Sequence, residues 1–201
     1  MDSKHKSCIL FHIETSCTHI YTQRLLLRSH KSFDADWMQR VYSLPDVYRF
    51  LPYGPFSKEE AMRKNNQRMT RTSLDTEHGG LSLMFEYQGT AIGMVSLWTT
   101  DDQYRNAEIG WAIDPNYGGQ GLASEAVTAV LDVAFGRYAL HRVVARVDPR
   151  NTSSVNLALR VGMIYEGCLR KDFWHRGEWT DTLIYSILDS DIQSSNYSVD
   201  S

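Results

Sequence analysis

In this 201-residue chain, the most informative segment for the fold is Ile109-Gly-Trp-Ala-Ile-Asp-Pro-Asn-Tyr-Gly-Gly-Gln-Gly-Leu-Ala-Ser-Glu125. Its first five residues are typical of a β-strand, and a glycine-rich turn follows them. From Leu122 onward, apolar residues recur at the spacing of an amphipathic helix. A strand that leads through glycines to a helix N-terminus builds an anion site, because free backbone N–H groups and the helix dipole meet there.

The glycine turn alone leaves several interpretations open. Glycine also serves in a plain connection between a strand and a helix. The run from Gly119 begins like the dinucleotide-binding pattern GxGxxG, but Ser124 stands at its last position, and Asp148 lies too far along to be the pattern's acidic residue. The Gly-Lys-Ser/Thr of a Walker A loop is absent from the sequence. A nicotinamide or nucleotide enzyme is therefore a weak alternative.

The patterns on either side of the turn predict one α+β domain without internal repeats or linkers. The predicted strands cover 22–28, 81–87, 91–98, 106–113, 141–147, 163–168 and 179–188. The predicted helices cover 33–42, 57–73, 151–160 and the segment that begins at 122. We expect residues 1–20 to be an N-terminal extension, residues 21–189 to be the domain, and residues 190–201 to be a flexible tail.

The composition is that of an ordinary globular protein, with 42% hydrophobic and 22% charged residues. A net charge of −3 argues against nucleic-acid binding, which needs a basic face. No apolar run reaches the length of about 18 residues that a membrane span needs. Three cysteines without a CxxC pair favour a cytoplasmic protein, and Cys168 is expected to be buried. The histidines lack HxH and HExxH spacing, so we expect no metal site.

Several motifs together resemble the GNAT superfamily of N-acetyltransferases, in the branch of the ribosomal-protein N-terminal acetyltransferases. The resemblance covers Tyr21 to Leu188 and keeps the family's order of motifs. These motifs are Thr22-Gln-Arg-Leu-Leu-Leu-Arg28, Ala107-Glu-Ile-Gly-Trp111, Tyr117-Gly-Gly-Gln-Gly-Leu-Ala-Ser-Glu-Ala126, Asn151-Thr-Ser-Ser154 with Gly162-Met163, and Trp174-His-Arg-Gly-Glu-Trp-Thr-Asp181. One departure is Gly118, which stands where the family has Arg or Gln. This departure weakens a side-chain role there but not the backbone anion site.

The resemblance implies a single GNAT-like domain with a mixed, mostly antiparallel sheet of about six to seven strands and helices on both faces. Its two central parallel strands are expected to splay apart and to admit acetyl-CoA as the co-substrate. Acetyl would then pass directly from the thioester to an amine, without a metal or a covalent enzyme intermediate. The sequence accordingly carries no GxSxG motif and no clear Cys/His pair.

The resemblance also implies the residues that bind the coenzyme. Backbone groups of the strand before the turn would hold the pantetheine arm, and the N–H groups of the turn would hold the pyrophosphate. The implied residues are Trp111, Ala112, Ile113, Gly118, Gly119, Gln120, Gly121, Leu122, Ala123, Ser124, Asn151 and Ser154. An alternative role for Asn151 is to cap the following helix.

Glu108 and Ser154 are the expected catalytic residues. An acceptor amine is protonated near neutral pH, so a base must take its proton, and Glu108 is the candidate. The alternative is an ion pair between Glu108 and Arg105 or Arg146. The Ser154 hydroxyl would protonate the leaving thiolate, and Tyr185 is the alternative donor.

The acceptor is expected near the aromatic loop 48–56, with Trp174 and Tyr185 as further candidates, although such aromatic residues more often belong to a core. Asp181 in a late turn is expected to have a structural role, and Glu178 nearby is either an acceptor contact or a solvated charge. The acceptor is either a protein N-terminus or a small amine, and a homodimer is left open. A non-catalytic acyl-CoA-binding module is the rival hypothesis.

Overall fold

A computed structural model of the protein describes residues 11–14, 17–75, 79–101 and 105–192, with side chains from residue 19 onward. The strands are β1 Phe11–Glu14, β2 Cys17–Tyr21, β3 Leu25–Ser29, β4 Thr72–Ser73, β5 Gly80–Tyr87, β6 Thr90–Thr99, β7 Asn106–Ile113, β8 Arg142–Val147, β9 Ile164–His175 and β10 Glu178–Leu188. The helices are α1 Asp34–Tyr42, α2 Pro45–Tyr48, α3 Lys58–Met69, α4 Leu122–Gly136 and α5 Thr152–Arg160, and a 3₁₀ turn at Pro115–Tyr117 precedes α4. None of these helices combines the length and the apolar character needed to cross a membrane.

The strands form one sheet with the order β1-β2-β3-β5-β6-β7-β8-β10-β9, and the short β4 pairs with β5. Neighbouring strands are antiparallel except for β7 and β8, which are parallel. The predicted architecture, a mixed and mostly antiparallel sheet in an α+β domain, is confirmed. The described residues contribute ten strands rather than the six to seven expected. The difference arises because β1, β2 and β4 are short and depend on their neighbours for order.

The segment predicted as an N-terminal extension supplies two of these strands. β2 pairs with β3 through the register Ile20↔Leu27, and the side chain of Ile20 is buried in the main core. Residues 1–10 of the predicted extension and residues 193–201 of the predicted tail lie outside the described residues. The sheet therefore continues past the domain boundary placed at residue 21.

Helices cover both faces of the sheet, as expected. Along β5, Leu83 and Phe85 point into the larger core, which packs against α4 and α5. Met84 between them points into the smaller core, which packs against α1 and α3. Because successive side chains of a strand point to opposite faces, one strand serves two cores. This explains why residues 80–85 are buried without interruption.

A buried ion-pair cluster joins β3 to α1. Alternation in β3 turns Arg28 away from Leu25 and Leu27, into the face that carries α1. Its guanidinium is 2% exposed and lies 2.7 Å from Asp34 Oδ2 and 2.6 Å from Glu86 Oε1. A buried charge is tolerated only with such partners, because the loss of hydration is otherwise uncompensated.

A buried hydrogen-bond chain begins at His30, directly after β3. Its Nδ1 lies 2.9 Å from Asn65 Oδ1, and its Nε2 lies 3.1 Å from Ser82 Oγ. Ser82 Oγ in turn lies 2.7 Å from Ser96 Oγ. Because an amide oxygen only accepts, Nδ1 of the neutral ring donates to Asn65 and Nε2 accepts from Ser82. Burial lowers the pKa of His30 to about 4, so the ring is neutral at physiological pH.

The two parallel strands separate part-way along their length. β7 and β8 pair only from Asn106 with Arg142 to Glu108 with Val144. β7 nevertheless continues for five residues beyond Glu108, and β8 continues to Val147. This is the splay that the family resemblance implies, and it leaves a gap between β7 and β8 in the middle of the sheet.

The hairpin of β9 and β10 is longer than predicted. β9 runs to His175, is the outermost strand of the sheet and exposes most of its side chains. Cys168 on β9 is exposed, so the expectation that it is buried is wrong. Asp181 Oδ1 accepts from the Lys171 backbone N–H at 3.0 Å, where the pairing of the two strands is shifted. Asp181 therefore has the structural role that the sequence favours.

Candidate active site

The glycine turn joins the 3₁₀ turn to α4, and its backbone requires glycine at two positions. Gly119 and Gly121 have φ values of +74° and +76°, a region that other residues rarely adopt. At Gly118 the reason for glycine is different. A Cβ atom there would lie 3.1 Å from the carbonyl oxygen of Pro115. A side chain at this position would therefore require a small shift of the 3₁₀ turn.

The six consecutive backbone N–H groups from Gly119 to Ser124 donate no hydrogen bond to any described residue. The first helical bond of α4 runs from the Glu125 N–H to the Gly121 carbonyl at 3.0 Å. The N–H of Gly118 is already used, because it donates to Pro115 at 3.0 Å. A row of free N–H groups at a helix N-terminus attracts anions. The turn thus suits a phosphate-rich ligand, bound through Gly119–Ser124 rather than through Gly118.

Arg24, located just before β3, forms hydrogen bonds with the glycine turn and with the first turn of α4. Its Nε donates to Glu125 Oε2 at 2.6 Å, and its Nη1 donates to the Gln120 carbonyl at 3.0 Å. Thr22 Oγ1 donates to the other oxygen of Glu125 at 2.6 Å. Sequence reasoning missed this contact, because 101 positions separate Arg24 from Glu125. The available signal was that both residues belong to motifs of the resemblance.

The backbone N–H and C=O groups of alternate β7 residues point toward β8 and therefore into the gap. The carbonyl of Arg105 accepts from the residue that precedes β8 at 2.8 Å, whereas the Asp114 N–H donates toward β6 at 2.8 Å. Backbone groups of successive strand residues point to opposite sides. The N–H and C=O groups of Trp111 and Ile113 therefore face the gap, and those of Ala112 face β6.

Ser154 lies in the first turn of α5, across the gap from Trp111. The indole Nε1 of Trp111 donates to Ser154 Oγ at 3.3 Å. Asn151 Oδ1 accepts from the Ser154 N–H at 3.1 Å, so Asn151 caps α5. The capping role that the sequence left open for Asn151 is therefore present. The hydroxyl proton of Ser154 is not donated to any described residue.

Glu108 is half-buried at the point where β7 and β8 separate. It lies opposite Trp98 on β6 and Val144 on β8. Burial raises the pKa of its carboxyl, and the charge of Arg146 opposes this rise. Within the described ranges Glu108 forms no salt bridge, and Arg146 pairs with Asp172 at 2.7 Å. The ion pair that the sequence offers as the alternative role of Glu108 is therefore absent among the described residues.

The aromatic candidates fall into two groups. Phe56 is buried and stacks on Tyr42 at 4.9 Å between ring centroids, so this part of the loop belongs to the smaller core. Tyr185 is 4% exposed, belongs to the larger core and contacts the ring of Tyr165 at 5.5 Å between centroids. Trp174 is 56% exposed and contacts Trp179 edge to face at 5.3 Å.

These residues bring together a turn with free N–H groups, an unpaired strand edge, a half-buried carboxylate and a hydroxyl. That set can bind a phosphorylated co-substrate with an extended arm, and it can move protons at the end of the arm. The described residues contain no group of three or more His, Cys, Asp and Glu side chains that could hold a metal ion.

A family model described as the Acetyltransferase (GNAT) domain matches residues 24–164. The chain belongs to the GNAT acetyltransferase family. It is an acetyl-CoA-dependent N-acetyltransferase. The matched segment begins at Arg24 and ends at the first residue of β9, so it contains the glycine turn, the gap and both candidate catalytic residues of this GNAT enzyme.

Individual relatives agree with this assignment. The uncharacterized N-acetyltransferase p20 of Bacillus licheniformis is 31% identical over 169 residues, which cover 84% of this chain and 95% of the relative. The ribosomal-protein-serine acetyltransferase of Escherichia coli is 33% identical over 100 residues, covering 49% of this chain and 56% of the relative. The crystal structure of a GNAT-family acetyltransferase from Bacillus anthracis has a TM-score of 0.78 at 29% identity and covers 86% of this chain and 99% of that chain. These relatives support a transferase rather than a non-catalytic acyl-CoA-binding module.

Proposed function

We propose that residues 119–124 of this GNAT enzyme bind the pyrophosphate of acetyl-CoA and that its pantetheine arm lies in the gap along β7. The observation that carries the proposal is the row of six free backbone N–H groups, which stands beside an unpaired strand edge. The oxygens of two linked phosphates match such a row. The gap-facing groups of Trp111 and Ile113 would bond the amides of the arm, as an added strand would.

In the proposed reaction, the acceptor amine attacks the carbonyl carbon of the thioester. A C–N bond forms, and the C–S bond breaks without an acyl-enzyme. Glu108 takes a proton from the amine, directly or through one water molecule. Ser154 passes a proton to the departing thiolate and regains one from the solvent, so that the net products are the amide, free CoA thiol and one released proton. A gap-facing N–H of β7 stabilises the negative charge that develops on the carbonyl oxygen.

The environment of Glu108 supports its role as the base. A free lysine amine has a pKa of about 10.4, far above that of an ordinary carboxyl, so proton transfer to a carboxylate is unfavourable. Burial raises the pKa of Glu108 and so reduces this difference. Because Glu108 lacks an ion-pair partner among the described residues, no bond has to break before it accepts the proton.

The acceptor that we propose is a primary amine, either at a protein N-terminus or on a small molecule. The E. coli relative is named for a ribosomal-protein substrate, which supports the first class. We assign the loop after α2 and the β9–β10 turn to the acceptor side. The charges of the residues there should determine which class of amine binds.

A cytoplasmic location and a homodimer are further parts of the proposal. The exposed free thiol of Cys168 suits a reducing compartment. β9 and β10 expose several large apolar side chains, which soluble monomers rarely leave uncovered. These side chains are Ile164, Leu169, Phe173, Trp174 and Trp179. Light scattering after gel filtration would report the mass of the assembly, and a monomer would contradict the dimer.

Calorimetric titration with acetyl-CoA tests the binding site, with NAD and ATP as controls. We expect saturable binding of acetyl-CoA at micromolar concentration and no binding of the controls. Release of free CoA thiol in the presence of an amine panel then tests the transfer itself. A folded protein that does not bind acetyl-CoA would contradict the site, and binding without thiol release from any amine would contradict the transfer.

A further inference from the structure

A cavity of about 300 Å³ lies at the turn between β9 and β10. The loop after α2 and the segment between β8 and α5 complete its walls. Its lining consists of Arg49, Phe50, Arg150, His175, Arg176 and Glu178. The volume is at the lower end of what small ligands occupy, so the cavity suits one functional group or a short side chain.

One of the three arginines is committed to the structure. The guanidinium of Arg150 donates to both carboxylate oxygens of Asp148, with distances of 2.9 and 2.7 Å, and to Glu178 Oε1 at 2.7 Å. These bonds use all three of its nitrogens. The single positive charge of Arg150 is shared between Asp148 and Glu178, so Arg150 adds no net positive charge to the cavity. The ligand preference of the cavity therefore depends on the other two arginines.

Arg176 has no carboxylate partner in the described ranges. Its guanidinium lies over the ring of Tyr48 at 4.5 Å, and its Nη2 donates to the carbonyl of Tyr53 at 3.4 Å. Arg49 lies over Phe50 at 4.6 Å, and its contact with Asp46 is a long one of 3.6 Å between exposed side chains. Such exposed pairs contribute little. Two guanidinium groups are thus held in place by rings and keep donors available.

His175 shows that the hydrogen bonds of this cavity are incompletely matched. Its side chain is buried, and its Nε2 lies 3.0 Å from the carbonyl oxygen of Arg49 and 3.2 Å from Nε of Arg176. The carbonyl requires a donor at Nε2, whereas the guanidinium requires an acceptor. One ring nitrogen cannot be both at once. An anion that accepts from Arg176 would remove the conflict and leave His175 bonded to Arg49.

The cavity lies close to the proposed reaction site. Arg150 directly precedes Asn151, which caps α5, and Ser154 lies in the first turn of that helix. About one helical turn therefore separates the cavity wall from the proposed acid. The remaining walls come from the segment after α2 and from the β9–β10 turn. Neither the glycine turn nor a residue of β7 lines the cavity, so we assign it to the acceptor side.

We infer that the acceptor carries a carboxylate near its reactive amine, and that Arg176 and Arg49 bind this carboxylate. The inference rests on the proposed acetyl transfer and specifies its substrate class. Bidentate bonds from guanidinium to carboxylate supply both orientation and charge complementarity. A polyamine is a poor acceptor, because its second cation would meet the same two guanidinium groups. The carboxylate belongs either to a small amino acid or to an acidic residue near a peptide N-terminus.

The test compares matched acceptors that differ only in charge, with thiol release from acetyl-CoA as the readout. The peptide pair is Ala-Glu-Glu-Ala and Ala-Gln-Gln-Ala, both with amidated C-termini, and the small-molecule pair is β-alanine and β-alaninamide. Spermidine is the cationic comparison. We expect kcat/KM to be at least about tenfold higher for the acidic member of one pair, and the pair that discriminates identifies the source of the carboxylate.

Variants then assign the preference to the cavity. In Arg176→Gln, the ratio of kcat/KM for acidic over neutral acceptors should fall about tenfold. Arg137→Gln is the matched control, because Arg137 lies over Tyr138 at 5.2 Å in a similar stacked pair and does not line the cavity. Its ratio should equal that of the unmodified enzyme. Thermal unfolding of both variants confirms that they are folded.

Equal rates for the acidic and neutral members of both pairs, or a better rate for spermidine, would overturn the inference and leave the acetyl transfer intact. An unchanged ratio in Arg176→Gln would overturn it as well. Failure of the proposed function is distinguishable, because no acceptor would then release thiol and acetyl-CoA would not bind in the calorimeter. That result would remove the inference together with its basis.

Discussion

The indole Nε1 of Trp111 donates to the Oγ of Ser154 at 3.3 Å, and this bond joins β7 to the first turn of α5. Its two residues come from opposite sides of the proposed acetyl-CoA site. The bond uses the hydroxyl as an acceptor and so leaves the serine proton available. In the proposed reaction, this bond would orient Ser154 for donation to the sulfur of the leaving CoA.

Replacement of Ser154 by alanine should lower kcat about 100-fold, because the thiolate would leave without a positioned proton donor. The affinity for acetyl-CoA should change less than about threefold, since the phosphates are bound elsewhere. Ser153→Ala, in the same helical turn but on an exposed side chain, is the control and should keep normal activity. Steady-state kinetics and calorimetry measure both quantities. A normal kcat in Ser154→Ala would transfer the donor role to Tyr185.

Glu108→Gln should lower kcat about 100-fold or more and remove the acidic limb of the pH–rate profile. In the unmodified enzyme, kcat/KM should rise as Glu108 loses its proton, at a higher pH than an ordinary glutamate because burial raises its pKa. A structural role and a catalytic role for Glu108 lead to opposite predictions for the stability of the Glu108→Gln variant. A raised folded-state pKa means that stability falls as pH rises past the ordinary glutamate value.

Glu108→Gln should therefore be at least as resistant to urea as the parent at neutral pH, although it is less active. A variant that loses stability and activity together would indicate that Glu108 is structural. Retained acetyl-CoA binding is the accompanying control, because Glu108 does not line the phosphate-binding turn.

Gly119→Ala should weaken acetyl-CoA binding about tenfold or more, because a Cβ would project from the backbone that approaches the phosphates. Gly89→Ala is a matched control. Gly89 has a φ of +77° and nothing within 4 Å of an added Cβ, which closely resembles Gly119 with its φ of +74° and open surroundings. Both variants carry similar backbone strain, but only one faces the proposed ligand. Equal calorimetric affinities in the two variants would remove Gly119 from the phosphate site.

The stability of the protein should fall as pH decreases from about 6.5 to 4, in part because of His30. Its pKa is lowered to about 4 in the folded state, so the unfolded chain takes up the proton first. The difference between the pKa of His30 in the unfolded chain and in the folded protein corresponds to about 3 kcal/mol of lost stability below pH 4. Urea unfolding at pH 7 and pH 4 measures the loss. In His30→Gln the loss should be smaller by this amount, and identical losses would contradict the assignment.

The order of the longer elements from β3 to β10 could be predicted from local patterns, whereas the short α2 was missed and the helix predicted over 57–73 ends at Met69, before β4. The turn at Gln88 and Gly89, the strand 106–113 and the capping residue Ser57 are examples, because each depends on neighbours in sequence. The splay between β7 and β8 came from the family resemblance instead. Periodicity alone does not show where two parallel strands stop pairing.

Other features depend on contacts between distant segments and could not be predicted. Exposure of Cys168 follows from the edge position of β9, and the composition of a strand does not reveal its place in the sheet. The cavity around Arg176 needs three segments that are far apart in sequence. The salt bridge of Arg24 with Glu125 is of the same kind. Sequence patterns locate candidate residues, whereas their partners depend on topology.

The bonds from Arg24 and Thr22 to Glu125 have a consequence for engineering. The shape of the glycine turn is maintained by residues that precede β3, so the turn is not a self-contained motif. A graft of residues 117–126 onto another scaffold would lack this external support and should bind phosphates poorly. Truncation of the chain before β3 should likewise weaken coenzyme binding, because it removes both side chains that bond Glu125. The proposed coenzyme site therefore depends on residues that lie about 100 positions before its glycines.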